Sequence, residues 1–332
     1  MACGMGTRGH GMEHSARMAL AARNAVEVIT REELGELLRT EQHPRVYAGY
    51  EPSGKIHLGH VLTINKLIDL KNAGFEVIVL LADLHAYLNE KGSLDEVRQM
   101  ADMNRACFEA LGLEDATYKY GSDYQLEREY VLDVLKLARN TTLARARRSM
   151  DEVSRSAKNP QVSQMIYPLM QAVDIARLGV DVAVGGIDQR KIHMLAREGL
   201  VKLGYRAPVC IHTPILLGLD GEKMSSSKGN YISVDDTEEQ VNAKLKKAFC
   251  PEGVVENNPV LEVFRYHIFP RFSSVLIERP EKFGGDVEFE SFEALEQAFA
   301  ERSLHPADLK GAAASYVNEI LEPVRERLEE YV

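Results

Sequence analysis

Apolar positions change their period along the 332-residue chain, and the change divides it. From Arg45 the run "VYAGY" is β-prone, and "HLGHVLTINKLIDLKNAG" follows with Leu58, Leu62, Leu67, Ile68 and Leu70 at roughly helical spacing until Gly74 stops it. "VIVLLA" is apolar at every position, as a strand buried on both faces must be. Strand, helix and apolar strand in this order make a parallel βαβ unit. A second helix begins at "GSLDEVRQM", where Ser93 and Glu96 are spaced as a capping box, and Gly112 ends it. Strand signals return at "VDVAVGG" and "APVCIHTPILLGL", on either side of the helical "DQRKIHMLAREGL".

The fold class expected is α/β, a Rossmann-like doubly wound parallel sheet, in which ligands sit at the carboxyl ends of the strands. After Ser233 the strands mostly give way to helices: "TEEQVNAKLKKAFC", "SFEALEQAFAERS" and "PADLKGAAASYVNEILEPVRERLEEYV". The domains expected are a Rossmann-like domain over 18–232, with a helical connecting insertion at about 113–159, and a helical domain over 233–332. Residues 1–17 are rich in glycine and aperiodic, which suggests a disordered extension, a tag or an upstream start with Met12 and Met18 as later candidates.

Composition narrows the function classes. The longest apolar run, Val77 to Ala82, is far short of the ~20 residues that cross a bilayer, so no membrane span is expected. Cys3, Cys107, Cys210 and Cys250 are widely spaced and make no zinc pattern, which predicts reduced thiols, a cytoplasmic location and no bound metal. A net charge of −10 argues against wholesale coating of nucleic acid. Lys136, Arg139, Arg145, Arg147, Arg148, Arg155 and Lys158 run against that average, either as a solvated helix face or as a local phosphate footprint.

Two stretches carry candidate chemistry. In "EPSGKIHLGH", His57 and His60 share one side of a first helical turn, where free backbone N–H groups favour anions, and Gly54 and Gly59 admit a close ligand. A pair of histidines that merely packs the turn is the alternative. In "GLDGEKMSSSKGN", Lys223 and Lys228 offer mobile charges, Ser225 to Ser227 offer hydroxyls, and Gly221 and Gly229 allow hinge motion. By composition alone this is as compatible with a solvated loop.

"HLGH" early in an α/β domain and "KMSSS" at its far edge resemble the paired signatures of class I aminoacyl-tRNA synthetases. With "YEPSGKIHLGH", "LLADLHAYLNEKG", "ARRSMDEVSR", "IYPLMQAVDIARLGVDVAVGGIDQRKIHMLARE", "CPEGVVE", "KFGGD" and "LHPADLK", the chain from about residue 18 resembles the archaeal and eukaryotic type of tyrosyl-tRNA synthetase. The resemblance implies activation of tyrosine by ATP, with Mg²⁺ arriving on the phosphates and no tightly bound cofactor, then transfer to tRNA(Tyr). It also implies a homodimer.

Residue by residue, the resemblance gives Tyr47 and Asp174 to the substrate phenol, a pairing whose polar groups stay unmet if phenylalanine enters. Tyr167, Gln171 and Gln189, with Glu51 nearby, fall to the ammonium end. Tyr167, Gln171 and Asp174 share a helical face, while Val162, Met165, Leu169 and Val173 mark the opposite one; Pro168 should start or kink this helix and leave Tyr167 just outside it. ATP is assigned Gly49, Gly59, Gly185, Gly186, Asp188, Met224, Ser225 and Ser227, and catalysis His57, His60, Lys223 and Ser226. The acceptor stem is assigned Arg148, Arg190 and Lys191, and the anticodon Phe283, His305 and Asp308, although His305 before Pro306 also suits a helix start. Ser226 stands where a lysine is frequent in the class, so Lys228 is a second source of charge. Competing readings are a tryptophanyl-tRNA synthetase, a non-catalytic tRNA-binding paralogue and a small-molecule nucleotidylyltransferase of the same superfamily.

Overall fold

A computed structural model describes residues 12–52, 54–150, 161–224 and 228–330. The chain divides into two compact units, Met1–Gly54 with Lys66–Pro214, and Lys55–Asn65 with Ile215–Val332. The division therefore falls at Pro214, ahead of the boundary expected at 232, and the "KMSSS" loop goes with the second unit.

The first unit holds a six-stranded sheet of β1 (Glu27–Ile29), β2 (Arg45–Tyr50), β3 (Glu76–Leu81), β4 (Thr117–Tyr120), β5 (Val182–Gly186) and β6 (Val209–Thr213). Its order is β1-β6-β5-β2-β3-β4, parallel except for β1, which runs antiparallel on the edge. The chain leaves β2 in one direction through β3 and β4, then returns to the other side of β2 with β5. That reversal puts the topological switch point between the carboxyl ends of β2 and β5. β3 is buried at every position after Glu76, which explains why its sequence does not alternate.

The helices of this unit are α1 (His14–Ala22), α2 (Arg31–Thr40), α3 (Leu58–Asn72, which the division crosses), α4 (Asp83–Leu88), α5 (Leu94–Phe108), α6 (Arg128–Arg139), α7 (Leu143–Met150), α8 (Val162–Arg177) and α9 (Arg190–Lys202). The capping box of Ser93 and Glu96 starts α5, and Gly112 (φ +106°) lies in the turn that follows its end. The second unit contains α10 (Glu238–Lys247), α11 (Pro259–Val263), α12 (Phe292–Ala300) and α13 (Pro306–Glu329), with one short hairpin of β7 (Val275–Ile277) and β8 (Val287–Phe289).

Four expectations are corrected. Residues 14–17 belong to α1, because Arg17 is buried and donates to the carbonyls of Ala73 (2.8 Å), Leu38 (3.1 Å) and Gln42 (3.2 Å). Buried Lys66 donates in turn to the last carbonyls of α1, Leu20 at 3.1 Å and Ala21 at 3.2 Å, and burial lowers its ionisation to about 8. The insertion at 113–159 is not wholly a connector, since β4 pairs with β3 as the sheet edge. Helix α8 runs through Pro168 and includes Tyr167; a box between Gln161 and Gln164 fixes its start. Nor does α8 have one apolar face. Val162 is exposed, whereas Tyr167 to Asp174 are buried or half-buried all round.

Replacing Arg17 with alanine leaves three carbonyls without their donor and should lower unfolding stability by about 2–4 kcal/mol. A urea midpoint equal to the wild type would contradict the role given to α1.

Candidate active site

Asp174 is the centre of a buried polar cluster in the first unit. It is fully buried on α8, and its Oδ1 accepts from Tyr124 Oη at 2.7 Å, Gln125 Nε2 at 2.8 Å and Tyr130 Oη at 2.9 Å. Burial pushes its carboxyl group up, against the pull of His85 and those three donors. The phenols of Tyr47, Tyr124, Tyr130 and Tyr167 are raised by burial first, with the charge of Asp174 or Glu51 adding to it. All four stay protonated.

Among the described residues the second oxygen, Asp174 Oδ2, is buried without a hydrogen bond, and so is His85 Nε2, which faces it at 3.6 Å. Gln125 Nε2 lies 3.4 Å from His85 Nδ1. With an amide donor there, Nδ1 is the acceptor and the ring proton belongs on Nε2. The pocket thus keeps one acceptor and one donor side by side, each costing about 1–3 kcal/mol while unmet. Tyr47 is buried on β2, and the His85 ring packs edge-on against Tyr167.

Around Tyr167 lie carboxylate and amide oxygens that can accept. Glu51, just past β2, accepts from Tyr167 Oη and from Asn89 Nδ2 at 3.1 Å. Gln171 Nε2 donates to Gln189 Oε1 at 3.2 Å, Gln189 Nε2 donates to Asp188 Oδ2 at 3.0 Å, and buried Gln171 Oε1 has no partner among the described residues. Such a set suits an ammonium group. At the end of β5 a side chain on Gly186 would collide with Asp188 Oδ1, and one on Gly185 would stand 3.0 Å from Gln189 Cγ. At Gly49 a Cβ would meet Leu80 and Tyr47 at an ordinary 3.8 Å, so packing alone does not require that glycine.

In the second unit, His57 and His60 occupy one turn with ring centroids 4.0 Å apart. Gly59 N–H donates to His57 Nδ1 at 3.1 Å, and His57 N–H donates to His60 Nδ1 at 3.2 Å. Burial lowers His57 to about 4 and His60 to about 3, the latter helped by His57. Both rings are neutral, and with Nδ1 occupied as an acceptor each carries its proton on Nε2. A Cβ on Gly59 would fall 2.9 Å from His57 Cε1 and 3.6 Å from Met224 Sδ. The turn is held by backbone pairing of His57 with Ser233 and by the ion pair of Lys55 with Asp235.

The loop from Gly218 closes on itself: Leu219 N–H donates to Asn230 O at 2.8 Å, and Asn230 Nδ2 donates to Lys223 O at 3.2 Å and Asp220 Oδ1 at 2.8 Å. Lys223 and Lys228 are exposed. Ser225, Ser226 and Ser227 lie outside the described residues. Among the described residues no three His, Cys, Asp or Glu side chains cluster to hold a metal, and no helix is long and apolar enough to cross a membrane.

Of the expected RNA contacts, Arg148 is exposed on α7, and Arg190 opens α9 in an ion pair with Glu27. Lys191 follows it, half-buried. Other members of the basic run are bound locally, Lys136 by Asp133 and Arg145 by Glu198; Arg155 and Lys158 lie outside the described residues. In the second unit Phe283 is 61% exposed, an unusual position for a phenylalanine ring. His305 caps α13, its Nδ1 accepting from Ala307 N–H at 3.1 Å, and Asp308 sits in the first turn.

Sequence reasoning missed His85, Asn89, Tyr124, Gln125 and Tyr130. The first two lie in "LLADLHAYLNEKG", which carried the resemblance with no role assigned to any of its residues. The other three lie in the stretch taken for a connector.

The sequence model of the family described as "tRNA synthetases class I (W and Y)" matches residues 39–322. The chain is similar to a tyrosine–tRNA ligase of Methanosarcina barkeri, 65% identical over 94% of this chain and 99% of that one. It is also similar to one of Archaeoglobus fulgidus, 63% identical over 96% and 99%. A crystal structure of the Archaeoglobus fulgidus tyrosyl-tRNA synthetase complexed with L-tyrosine superposes with a TM-score of 0.94, at 63% identity, over 95% of this chain and all of that one. A tryptophanyl-tRNA synthetase of Aeropyrum pernix, 24% identical with a TM-score of 0.73 over 90% and 82%, shares the fold. With the doubly wound sheet and this match over most of its length, the chain belongs to the class I tRNA synthetases of the W and Y family.

Proposed function

We propose that this chain is a tyrosine–tRNA ligase, which activates L-tyrosine with ATP and passes the tyrosyl group to the 3′-terminal adenosine of tRNA(Tyr). The observation that carries the reading is the buried pair of Asp174 Oδ2 and His85 Nε2, an acceptor and a donor 3.6 Å apart and both unmet. A phenol oxygen donates to one and accepts from the other. An indole N–H serves only the acceptor, and phenylalanine serves neither. The names of the Methanosarcina and Archaeoglobus relatives, and the L-tyrosine in the latter's crystal structure, support the same substrate.

In this reading Tyr47 completes the phenol site, and Tyr167, Gln171, Gln189 and Glu51 hold the ammonium group. The tyrosine carboxylate attacks the α-phosphate of ATP, which arrives with its Mg²⁺ as a substrate complex, and pyrophosphate leaves. No side-chain nucleophile takes part. Neutral His57 and His60 donate Nε2–H to phosphate oxygens, and Lys223, Lys228 and the serines through Ser227 supply charge and hydroxyls as the transition state forms. Gly49, Gly59, Gly185, Gly186, Asp188 and Met224 serve the nucleotide. The bare turns at Gly185 and Gly186 support a close approach of adenosine there.

Arg148, Arg190 and Lys191 are read as acceptor-stem contacts, and Phe283, His305 and Asp308 as anticodon contacts. The exposed ring of Phe283 supports base stacking. A homodimer fits α6, which exposes Val131, Leu132 and Leu135 just after exposed Leu126; a second copy would cover that apolar face. A cytoplasmic location fits the buried thiols of Cys107, Cys210 and Cys250.

Asp174→Asn keeps the volume but puts an amide where the pocket needs an acceptor. Tyrosine-dependent ATP–pyrophosphate exchange should lose about 10²-fold or more in kcat/KM, with wild-type protein giving only background exchange on tryptophan. Full exchange by the variant would contradict the phenol site. Because burial holds His57 and His60 near 4 and 3, neither gains a proton until the pH falls well below their ordinary value of about 6.5. Wild-type exchange should therefore show no limb near pH 6.5 that disappears on replacing either histidine by asparagine; finding one would show a ring that titrates in solution-like surroundings.

A further inference from the structure

Arg190 is exposed at the start of α9, yet Glu27 grips it from below. Arg190 Nε lies 3.0 Å from Glu27 Oε1 and 2.8 Å from Oε2. Glu27 begins β1, the antiparallel edge strand, directly opposite His212 on β6. His212 Nδ1 is 2.9 Å from Glu27 Oε2, and His212 Nε2 is 3.0 Å from His193 Nδ1.

The polarity of these contacts can be assigned. A carboxylate only accepts, so His212 carries its proton on Nδ1 and donates it to Glu27. Burial pushes the ionisation of His212 down, which leaves Nε2 bare to accept from His193 Nδ1–H. His193 is itself buried against the carboxyl end of β5, where a Cβ on Gly185 would come 3.3 Å from its Cε1. Three side chains, His193, His212 and Glu27, thus connect the backbone wall at Gly185 to one surface arginine, and every hydrogen bond along them has a fixed donor and acceptor. Among the described residues the hydrogen bonds of Arg190 run from Nε to Glu27, and its side chain is 46% exposed.

We propose that Glu27 is a positioning residue for tRNA selection: it fixes Arg190 by Nε so that the terminal guanidinium nitrogens meet the first base pair of the acceptor stem in one orientation. The proposal rests on the reading of Arg190 as an acceptor-stem contact. Long arginine side chains lose much conformational entropy on binding, and a carboxylate that has already ordered the guanidinium removes part of that cost. His212 and His193 hold Glu27 in place from the sheet side. Glutamine at position 27 would keep the size but turn an N–H₂ toward either Arg190 or His212, both of which donate.

The test compares wild type, Glu27→Gln, Glu27→Asp and Arg190→Ala in charging a tRNA(Tyr) transcript and the same transcript with its first base pair inverted. Tyrosine-dependent ATP–pyrophosphate exchange is run in parallel on wild type and the Glu27 variants. Glu27→Gln should keep exchange within about twofold of wild type, lose about tenfold in kcat/KM for charging, and discriminate less between the transcripts. Glu27→Asp, which keeps the charge, should recover most of the discrimination, and Arg190→Ala should match the glutamine variant in charging. If Arg190→Ala loses discrimination while Glu27→Gln keeps it, Glu27 does not position the arginine and the proposal is overturned. Loss of exchange together with charging in Glu27→Gln would make Glu27 a structural anchor of β1, which also overturns it. Arg190→Ala charging both transcripts like wild type would remove the acceptor-stem reading itself, and the proposal with it.

Discussion

A buried carboxylate must be surrounded by donors, and much of the first unit is arranged to meet that demand at Asp174. Three donors converge on one oxygen: Tyr130 from α6, and Tyr124 and Gln125 from the turn between β4 and α6. Gly121 has no side chain because a Cβ there would collide with Gln125 Oε1 and stand 2.9 Å from Asp83 Oδ1. Asp83 in turn accepts from Ser122 N–H at 2.8 Å, which fixes the same turn to the start of α4. The edge strand β4 therefore delivers the groups that make a buried charge tolerable, and in the proposed function the second oxygen of that charge goes to the substrate phenol.

The histidines follow a related rule. Burial makes His57, His60 and His193 poor bases, so they serve as neutral, directional hydrogen-bonding groups rather than as positive charges. Their tautomers are set by neighbours: backbone N–H groups on the Nδ1 atoms of His57 and His60, and a chain that ends on Glu27 for His193 and His212. In the activation chemistry proposed, positive charge comes from exposed lysines, while the imidazoles supply position. That division suits a reaction whose catalysis is orientation and charge stabilisation.

How much of this could be read from the sequence depended on whether local or distant contacts decide each feature. The parallel strands β2, β3, β5 and β6 were legible because apolar runs between glycine turns suffice to mark them, and Ser93 with Glu96 marked the start of α5 because a cap is local. The edge strands β1 and β4 were not, since "EVI" and "TYKY" are short, mixed in polarity and defined only by their partners. Arg17 and Lys66 show the same limit: a charged residue satisfied by distant carbonyls carries no mark of burial in one dimension. Helix α8 continued through Pro168 because its buried surroundings outweigh the one hydrogen bond that proline removes. At the site, Tyr47, Tyr167, Gln171 and Asp174 were named through resemblance. His85 and Gln125 were not, because their importance lies in two unmet atoms that only the folded pocket reveals.

The central claim is that a buried acceptor and a buried donor read a single phenol oxygen. Calorimetric titration of the unmodified protein with L-tyrosine, L-phenylalanine and L-tryptophan, without ATP or tRNA, tests it most directly. Tyrosine should bind about 100-fold or more tightly than phenylalanine, the ratio expected when a charged buried acceptor is left unmet, and tryptophan should bind no better than phenylalanine. Equal affinity for tyrosine and phenylalanine would contradict the account.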